Sequence, residues 1–292
     1  MQKLGRNVFS IPKKDDEKKG PVVCTITSGK GGVGKTNLSI NTAIALKQMR
    51  KKVLLLDADI HLGNVDLFLG IRSKYTITDV VKGDKEIDEV IFQGPGGIDI
   101  LPASSAVIDL LESEQKIARQ LNAAFTQSKN EYDYMIVDSG AGLSGSVLPF
   151  VLGADKVVIV VTSDPASIAD AYGMIKVTKK FQESIPILLV PNRVANREEG
   201  ESIFRKMKLM VERFLNTSIT YGGTINDSQL IEETVRQQKA VILEHPGSRT
   251  ARTIKVIAKN LYGLPSNNEE NQYKLFERFI ANRNKSLGVE NE

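Results

Sequence analysis

The sequence predicts an α/β fold, a doubly wound and mainly parallel sheet with helices on both faces. Two observations carry this expectation. Short apolar runs that read as strands recur at residues 22–26, 53–56, 132–138, 156–161 and 185–190, and several are apolar enough for strands buried on both faces. Between them lie stretches with helical patterning, among them 37–47, 166–181 and 197–215. Alternation of this kind builds a parallel sheet through right-handed crossovers. Such a sheet binds ligands outside the carboxyl ends of its strands, so the residues that end each run are the first candidates for function.

Composition bounds the problem. The chain has 292 residues, 41% hydrophobic and 25% charged, which fits an ordinary globular protein with a sizeable core. One cysteine, Cys24, allows no intrachain disulfide and no cysteine-held metal or iron–sulfur site within one chain. No apolar run approaches the roughly 18 residues of a membrane span. Residues 1–20 carry charges where a signal peptide needs an apolar centre, and they read as a flexible arm. The formal net charge of +4 is compatible with an anionic partner without naming one.

The first run, 22–26, is followed by Ser28-Gly29-Lys30-Gly31-Gly32-Val33-Gly34-Lys35-Thr36 and then by a helical stretch from Asn37. A strand, Gly-x-x-x-x-Gly-Lys-Thr and a helix form the setting of a phosphate-binding loop. Glycines let successive backbone N–H groups turn inward on phosphate oxygens, and the helix adds its positive end. Lys35 supplies a point charge for the β- and γ-phosphates, and Thr36 a hydroxyl for Mg²⁺. The second run ends in Asp57-Ala58-Asp59. The third ends in Asp138, in the position of a carboxylate that holds Mg²⁺ through water. Ser139-Gly140-Ala141-Gly142 follows, and Gly140 can set a backbone N–H against a γ-phosphate as a switch.

A short strand is expected at 98–103 and one or two helices over 106–129. Asn192-Arg193 closes the run that begins at 185, and 224–227 closes the next. Motifs from Gly29 to Asp227 belong to one site, so residues 21–263 form one domain. Gly263, Pro265, Asn267 and Asn268 mark a linker at 264–268, and 269–292 form a separate helix and tail. At about 100° per residue, Tyr273, Phe276, Phe279, Ile280 and Leu287 share an arc of about 120°. Lys274, Glu277, Arg278 and Lys285 lie opposite. That pattern resembles a membrane-surface helix, with packing back on the domain as the alternative.

The loop Lys30-Gly31-Gly32-Val33-Gly34-Lys35-Thr36 resembles the deviant Walker A box of the MinD/ParA class of P-loop ATPases. The resemblance implies ATP and Mg²⁺ as ligands, held by Gly29, Lys30, Gly31, Gly32, Val33, Gly34, Lys35, Thr36 and Asn37. It implies that Lys30 crosses a dimer interface to the partner's nucleotide and that Lys35 acts within its own chain. Asp59 would orient the attacking water, with Asp57 in the outer Mg²⁺ shell beside Thr36 and Asp138. Asn192, with Arg193 beside it, would read the adenine edge, and Asp227 would close the base site. No Asn/Thr-Lys-x-Asp guanine box appears at either place, which favours ATP over GTP.

Further runs resemble the FlhG (FleN/YlxH) family of MinD-type ATPases. They are Asp138-Ser-Gly-Ala-Gly142, 169–176, Asn192-Arg193-Val194 with Glu198-Glu199-Gly200, and 211–215. That family sets flagellar number and placement in bacteria. The resemblance implies a slow, switch-type ATP hydrolase that is cytoplasmic and docks peripherally on the inner membrane as an ATP-dependent homodimer. It implies the FlhF GTPase and switch proteins of the FliM/FliN type as partners, and no nucleic acid. Members commonly begin with an Asp-Gln-Ala-x-x-Leu-Arg segment that activates FlhF, and residues 1–20 contain no such run. A MinD-like division regulator and a ParA-like DNA-partitioning ATPase share the chemistry of the site and remain the alternatives.

Overall fold

The computed structural model describes residues 20–59, 64–71, 73–102, 115–144 and 146–265, together with Leu275, Arg278 and Ala281. In chain order the strands are β1 (Val22–Ser28), β2 (Val53–Ala58), β3 (Phe92–Gln93), β4 (Asp99–Pro102), β5 (Tyr134–Ala141), β6 (Lys156–Val161), β7 (Ile187–Val194), β8 (Thr220–Tyr221) and β9 (Ile225–Asn226). They form one sheet in the order β3-β4-β2-β5-β1-β6-β7-β8, and β9 pairs with β7. Every pair is parallel except β3 with β4. The sheet is therefore parallel with one antiparallel edge, as the alternation of runs predicts.

The strand register explains the unbroken apolar runs. Leu54, Leu56, Met135 and Val137 enter one core, while Val53, Leu55, Tyr134 and Ile136 enter the other. Successive side chains point to opposite faces of a strand, so a sheet covered on both sides needs apolar residues at every position. Fully burying each Leu or Ile is worth about 1.5–3 kcal/mol.

The helices are α1 (Lys35–Gln48), α2 (Asn64–Leu69), α3 (Ile77–Lys82), α4 (Ile87–Val90), α5 (Gln115–Gln127), α6 (Leu148–Leu152), α7 (Pro165–Phe181), α8 (Arg197–Leu215), α9 (Gln229–Arg236), α10 (Val241–Glu244) and α11 (Arg249–Gly263). Residues of α1, α10 and α11 fill one core, and residues of α5 to α8 fill the other. α1 and α11 pack side by side. Lys156 Nζ donates to the Leu261 carbonyl at 3.0 Å, fixing the end of α11 to the start of β6.

The Glu198-Glu199-Gly200 run has a local explanation. Asn196 caps α8 by accepting from the Glu199 N–H at 2.8 Å, and the Glu199 carboxylate accepts from the Ala195 N–H at 2.7 Å, a reciprocal cap. A Cβ on Gly200 would lie 2.2 Å from Thr224 Oγ1 and 2.8 Å from its Cβ. The glycine lets α8 close on the segment that leads into β9. Gly200→Ala is expected to destabilise the fold by about 1–3 kcal/mol through overpacking. A urea unfolding midpoint equal to that of the unsubstituted chain would refute this.

β3, β8 and β9 hold two residues each, too few for any periodicity to show in sequence. Tyr273, Phe276, Phe279 and Ile280 lie outside the described residues. Leu275 is buried in the core below α6, where a Cβ on Gly153 would meet its Cδ1 at 3.0 Å. Arg278 pairs with Asp155 at 2.5 Å. Asp155 is buried and also accepts from the Val23 N–H at 2.8 Å.

Candidate functional site

The site is built at the carboxyl ends of β1, β2, β5 and β7. β1 ends at Ser28, whose hydroxyl donates to the Lys30 carbonyl at 2.6 Å and starts the curl of the loop. Gly34 ends that curl with φ at 95°, a left-handed value that favours glycine. A Cβ there would also lie 2.5 Å from Asn192 Nδ2. α1 then begins with no side-chain cap and no acidic residue in its first turn. Its first N–H groups and its dipole therefore face the loop with no cap or acid supplied by the helix itself.

Lys35 is 6% exposed. Burial lowers its pKa, opposed by the nearby carboxylates of Asp138 and Asp59. Asp138 is fully buried, and burial pushes its pKa up to about 6 against hydrogen bonds from Thr36 and Ser39. Ser39 donates to Asp138 Oδ1 at 2.8 Å, while Oδ2 is buried without a hydrogen-bond partner. A desolvated carboxylate with a spare oxygen beside a threonine hydroxyl is a hard-oxygen donor set that suits Mg²⁺. Among the described residues no three His, Cys, Asp or Glu side chains converge on a metal position. A cation here would complete its shell with phosphate and water oxygens.

Asp57 stands in register with Asp138 across β2 and β5. Its Oδ1 accepts from the Asp59 N–H at 3.3 Å and its Oδ2 from the Val65 N–H at 3.1 Å. The Asp57 carboxylate thus holds the loop that carries Asp59. Asp59 itself lines the cavity with Lys35. A Cβ on Gly140 would come within 3.6 Å of Asp59 Oδ1, so the acid faces the last buried residue of β5. The Gly142 N–H donates to the Ser28 carbonyl at 2.9 Å, tying this loop to the phosphate loop.

β7 brings in the far wall. Asn192 Nδ2 donates to the Val33 carbonyl at 2.6 Å, and its buried Oδ1 has no hydrogen-bond partner. Arg193, at a positive φ of 56°, donates from Nη1 to the Gly32 carbonyl at 3.3 Å. Its Nε lies 3.9 Å from Asp227, whose own N–H donates to the Val194 carbonyl at 2.8 Å. Asn192 and Arg193 therefore both clamp the loop, a task their sequence position does not reveal.

These parts surround one cavity of about 920 Å³, lined by Gly31, Gly32, Gly34 to Leu38, Asp59, Asn192, Arg193 and Asp227. Phe68, Ile231 and Val235 also line it, together with Glu232 and Arg236, and the sequence reading missed them. The three apolar residues come from two helices with no motif, and their common signal is only the apolar face each presents. Ser39 was also missed. A small hydroxyl one turn inside α1 is its only trace in sequence. Lys30 does not line this cavity. It is exposed and pairs with Asp164 at 2.6 Å, which raises its pKa and lowers that of Asp164.

A phosphate loop at the first strand of a parallel sheet, a buried carboxylate on the adjacent strand and a second lysine outside the cavity define a P-loop ATPase of the MinD/ParA class. An AAA domain family model matches residues 22–189. The chain is 36% identical over 247 residues to the antiactivator FleN of Pseudomonas aeruginosa, covering 84% of this chain and 88% of FleN. It is 32% identical over 258 residues to the flagellum site-determining protein YlxH of Helicobacter pylori, covering 86% of each. Among solved structures, the MinC:MinD cell division protein complex of Aquifex aeolicus contains a similar chain. It shares 29% identity with a TM-score of 0.64, over 84% of this chain and 96% of that one. The chain belongs to the FleN/YlxH (FlhG) family of MinD-like ATPases.

Proposed function

We propose that this chain is an ATP-driven switch that regulates bacterial flagellar number and placement. The observation that carries the reading is the cavity itself. Lys35, Thr36 and Asp59 line it, Asp138 lies behind them, and Lys30 is left outside. Lys35 and the first N–H groups of α1 bind the β- and γ-phosphates and stabilise charge that builds on them. Asp59 orients the attacking water, giving ADP and phosphate. Thr36 and Asp138 hold the Mg²⁺ position, and the ion supplies neutralisation of phosphate charge. Asn192 Oδ1, buried and unpaired, accepts from the exocyclic amine of adenine.

Lys30 leaves Asp164 and reaches the partner's nucleotide, so ATP joins two copies into a homodimer and hydrolysis releases them. Turnover is slow, as the family resemblance implies for a switch-type ATPase. The helix expected at 269–285 places the dimer peripherally on the inner membrane. Two such helices bind far better than one through effective concentration. Among the described residues no helix is long and apolar enough to cross a membrane. Flagellar partners, of the FlhF and FliM/FliN kinds, follow from the family resemblance, and the printed name of YlxH, a flagellum site-determining protein, supports a flagellar role.

The test is co-sedimentation of the full chain with anionic liposomes, with ATP and with ADP, beside a version ending at Gly263. Binding that needs both ATP and the residues after 263 is the expected result. ATP-dependent dimers that ignore liposomes would sink the membrane part of the reading and raise the ParA-like one.

A further inference from the structure

Among the described helices α11 carries the largest net positive charge, from four cations. It runs Arg249-Thr-Ala-Arg-Thr-Ile-Lys-Val-Ile-Ala-Lys-Asn-Leu-Tyr-Gly263 and contains no acidic residue. Ala251, Ile254, Ile257, Ala258 and Leu261 are buried. Arg249, Arg252, Lys255, Val256, Lys259 and Tyr262 are exposed. At about 100° per residue those six fall within one arc of about 140°. The outer face is therefore four cations with two apolar bodies between them, Val256 at 51% and Tyr262 at 44% exposure.

Several surface cations elsewhere pair with acidic neighbours. On α8, Arg197 and Arg205 pair with Glu201, and Lys208 pairs with Glu212. Arg236 pairs with Glu232 and Lys239 with Glu244. Among the described residues none of the four cations of α11 has an acidic partner, and Arg252 instead donates to the Gly247 carbonyl at 2.7 Å. The turn after α1 extends the patch. Lys51 Nζ sits 5.0 Å from the centroid of the Tyr262 ring, and Arg50 is exposed beside it. Lys52, at the border, is the exception and pairs with Glu131 at 3.6 Å.

The geometry points to this face as a contact for anionic phospholipid headgroups. Three features select that occupant. Uncompensated lysines and arginines are attracted to an anionic leaflet, and aliphatic and tyrosine side chains suit the headgroup level. The face also ends at Gly263, where the chain passes into the segment expected to form the membrane-surface helix. A patch at that junction would lie against the same leaflet and set the orientation of the ATPase domain on it. The inference rests on the proposed membrane association and adds to it a second, purely electrostatic anchor on the folded domain.

The test compares three forms of the full chain with ATP: unsubstituted, Arg252→Gln/Lys255→Gln/Lys259→Gln, and the charge-conserving Arg252→Lys/Lys255→Arg/Lys259→Arg. All three positions are exposed, and circular dichroism melts check that folding is unchanged. Vesicles contain phosphatidylcholine alone or with phosphatidylglycerol, and a parallel titration uses duplex DNA. Each cation near an anionic leaflet gives about a fivefold gain in binding. The glutamine form should therefore bind phosphatidylglycerol vesicles roughly a hundredfold more weakly, with the charge-conserving form unaffected and the difference fading at high salt. Equal binding of the glutamine and unsubstituted forms would overturn the inference while leaving membrane association standing. Failure of the unsubstituted chain to bind any vesicle would remove both. Loss confined to DNA would overturn it in favour of a nucleic-acid surface.

Discussion

Lys35→Ala abolishes measurable ATP binding while leaving the nucleotide-free protein folded. The lysine is almost wholly buried at the start of α1, where burial already disfavours its charge. In the absence of ligand its neighbours Asp138 and Asp59 offset only part of that cost. A phosphate group supplies the rest, so binding and not folding is where the residue acts. Removing one partner of a buried, hydrogen-bonded charge pair costs about 2–5 kcal/mol, roughly thirtyfold to several-thousandfold in Kd. Calorimetric titration with ATP and Mg²⁺ checks the affinity, and a thermal melt without nucleotide checks the fold. The expected melt is unchanged or slightly higher. An ATP affinity within threefold of the unsubstituted chain would refute the phosphate-loop assignment.

Asp59→Ala keeps ATP binding, removes turnover and leaves the protein trapped as an ATP-bound dimer. Asp59 lines the cavity with Lys35 and comes from the end of β2, outside the loop that cradles phosphate. It faces Gly140 and is held by the Asp57 carboxylate through its backbone N–H. Alanine removes the side chain without disturbing that anchor. It also removes a negative charge near the phosphates, so ATP affinity should hold or rise. Loss of a group that positions and deprotonates the nucleophile costs about 10²–10⁴ in rate. Phosphate release and size-exclusion chromatography with ATP measure the two consequences. Hydrolysis at the unsubstituted rate would end the catalytic assignment. Lost hydrolysis without dimer accumulation would separate Asp59's chemistry from the proposed switch.

Asp57 shows how far a sequence match can carry a role. The resemblance places it in the outer shell of Mg²⁺, and its carboxylate oxygens also accept the backbone N–H groups of Asp59, after β2, and Val65, in α2. Which backbone amide turns toward a carboxylate depends on loop conformation, and no residue pattern encodes it. Asn192 is similar. Its place at the end of a strand is legible, yet its contact with the Val33 carbonyl joins residues 159 apart in sequence.

What the sequence by itself determined was local. The glycine spacing that curls the phosphate loop, the lysine and threonine at its end, and the acids closing two strands act through backbone freedom and side-chain chemistry within a few residues. The unbroken apolar runs likewise dictate strands buried on both faces. Tertiary structure decided what meets what. The order β2-β5-β1-β6-β7 sets Asp57 beside Asp138 and brings β7 alongside the loop after β1. It also brings Phe68, Ile231 and Val235 to the cavity and leaves Lys30 beside Asp164. The basic residues of α11 are plain in sequence, but their lack of acidic partners is a fact of packing. Strand order and helix placement follow from burying two cores at once, a sum over the whole chain that no single window of sequence contains.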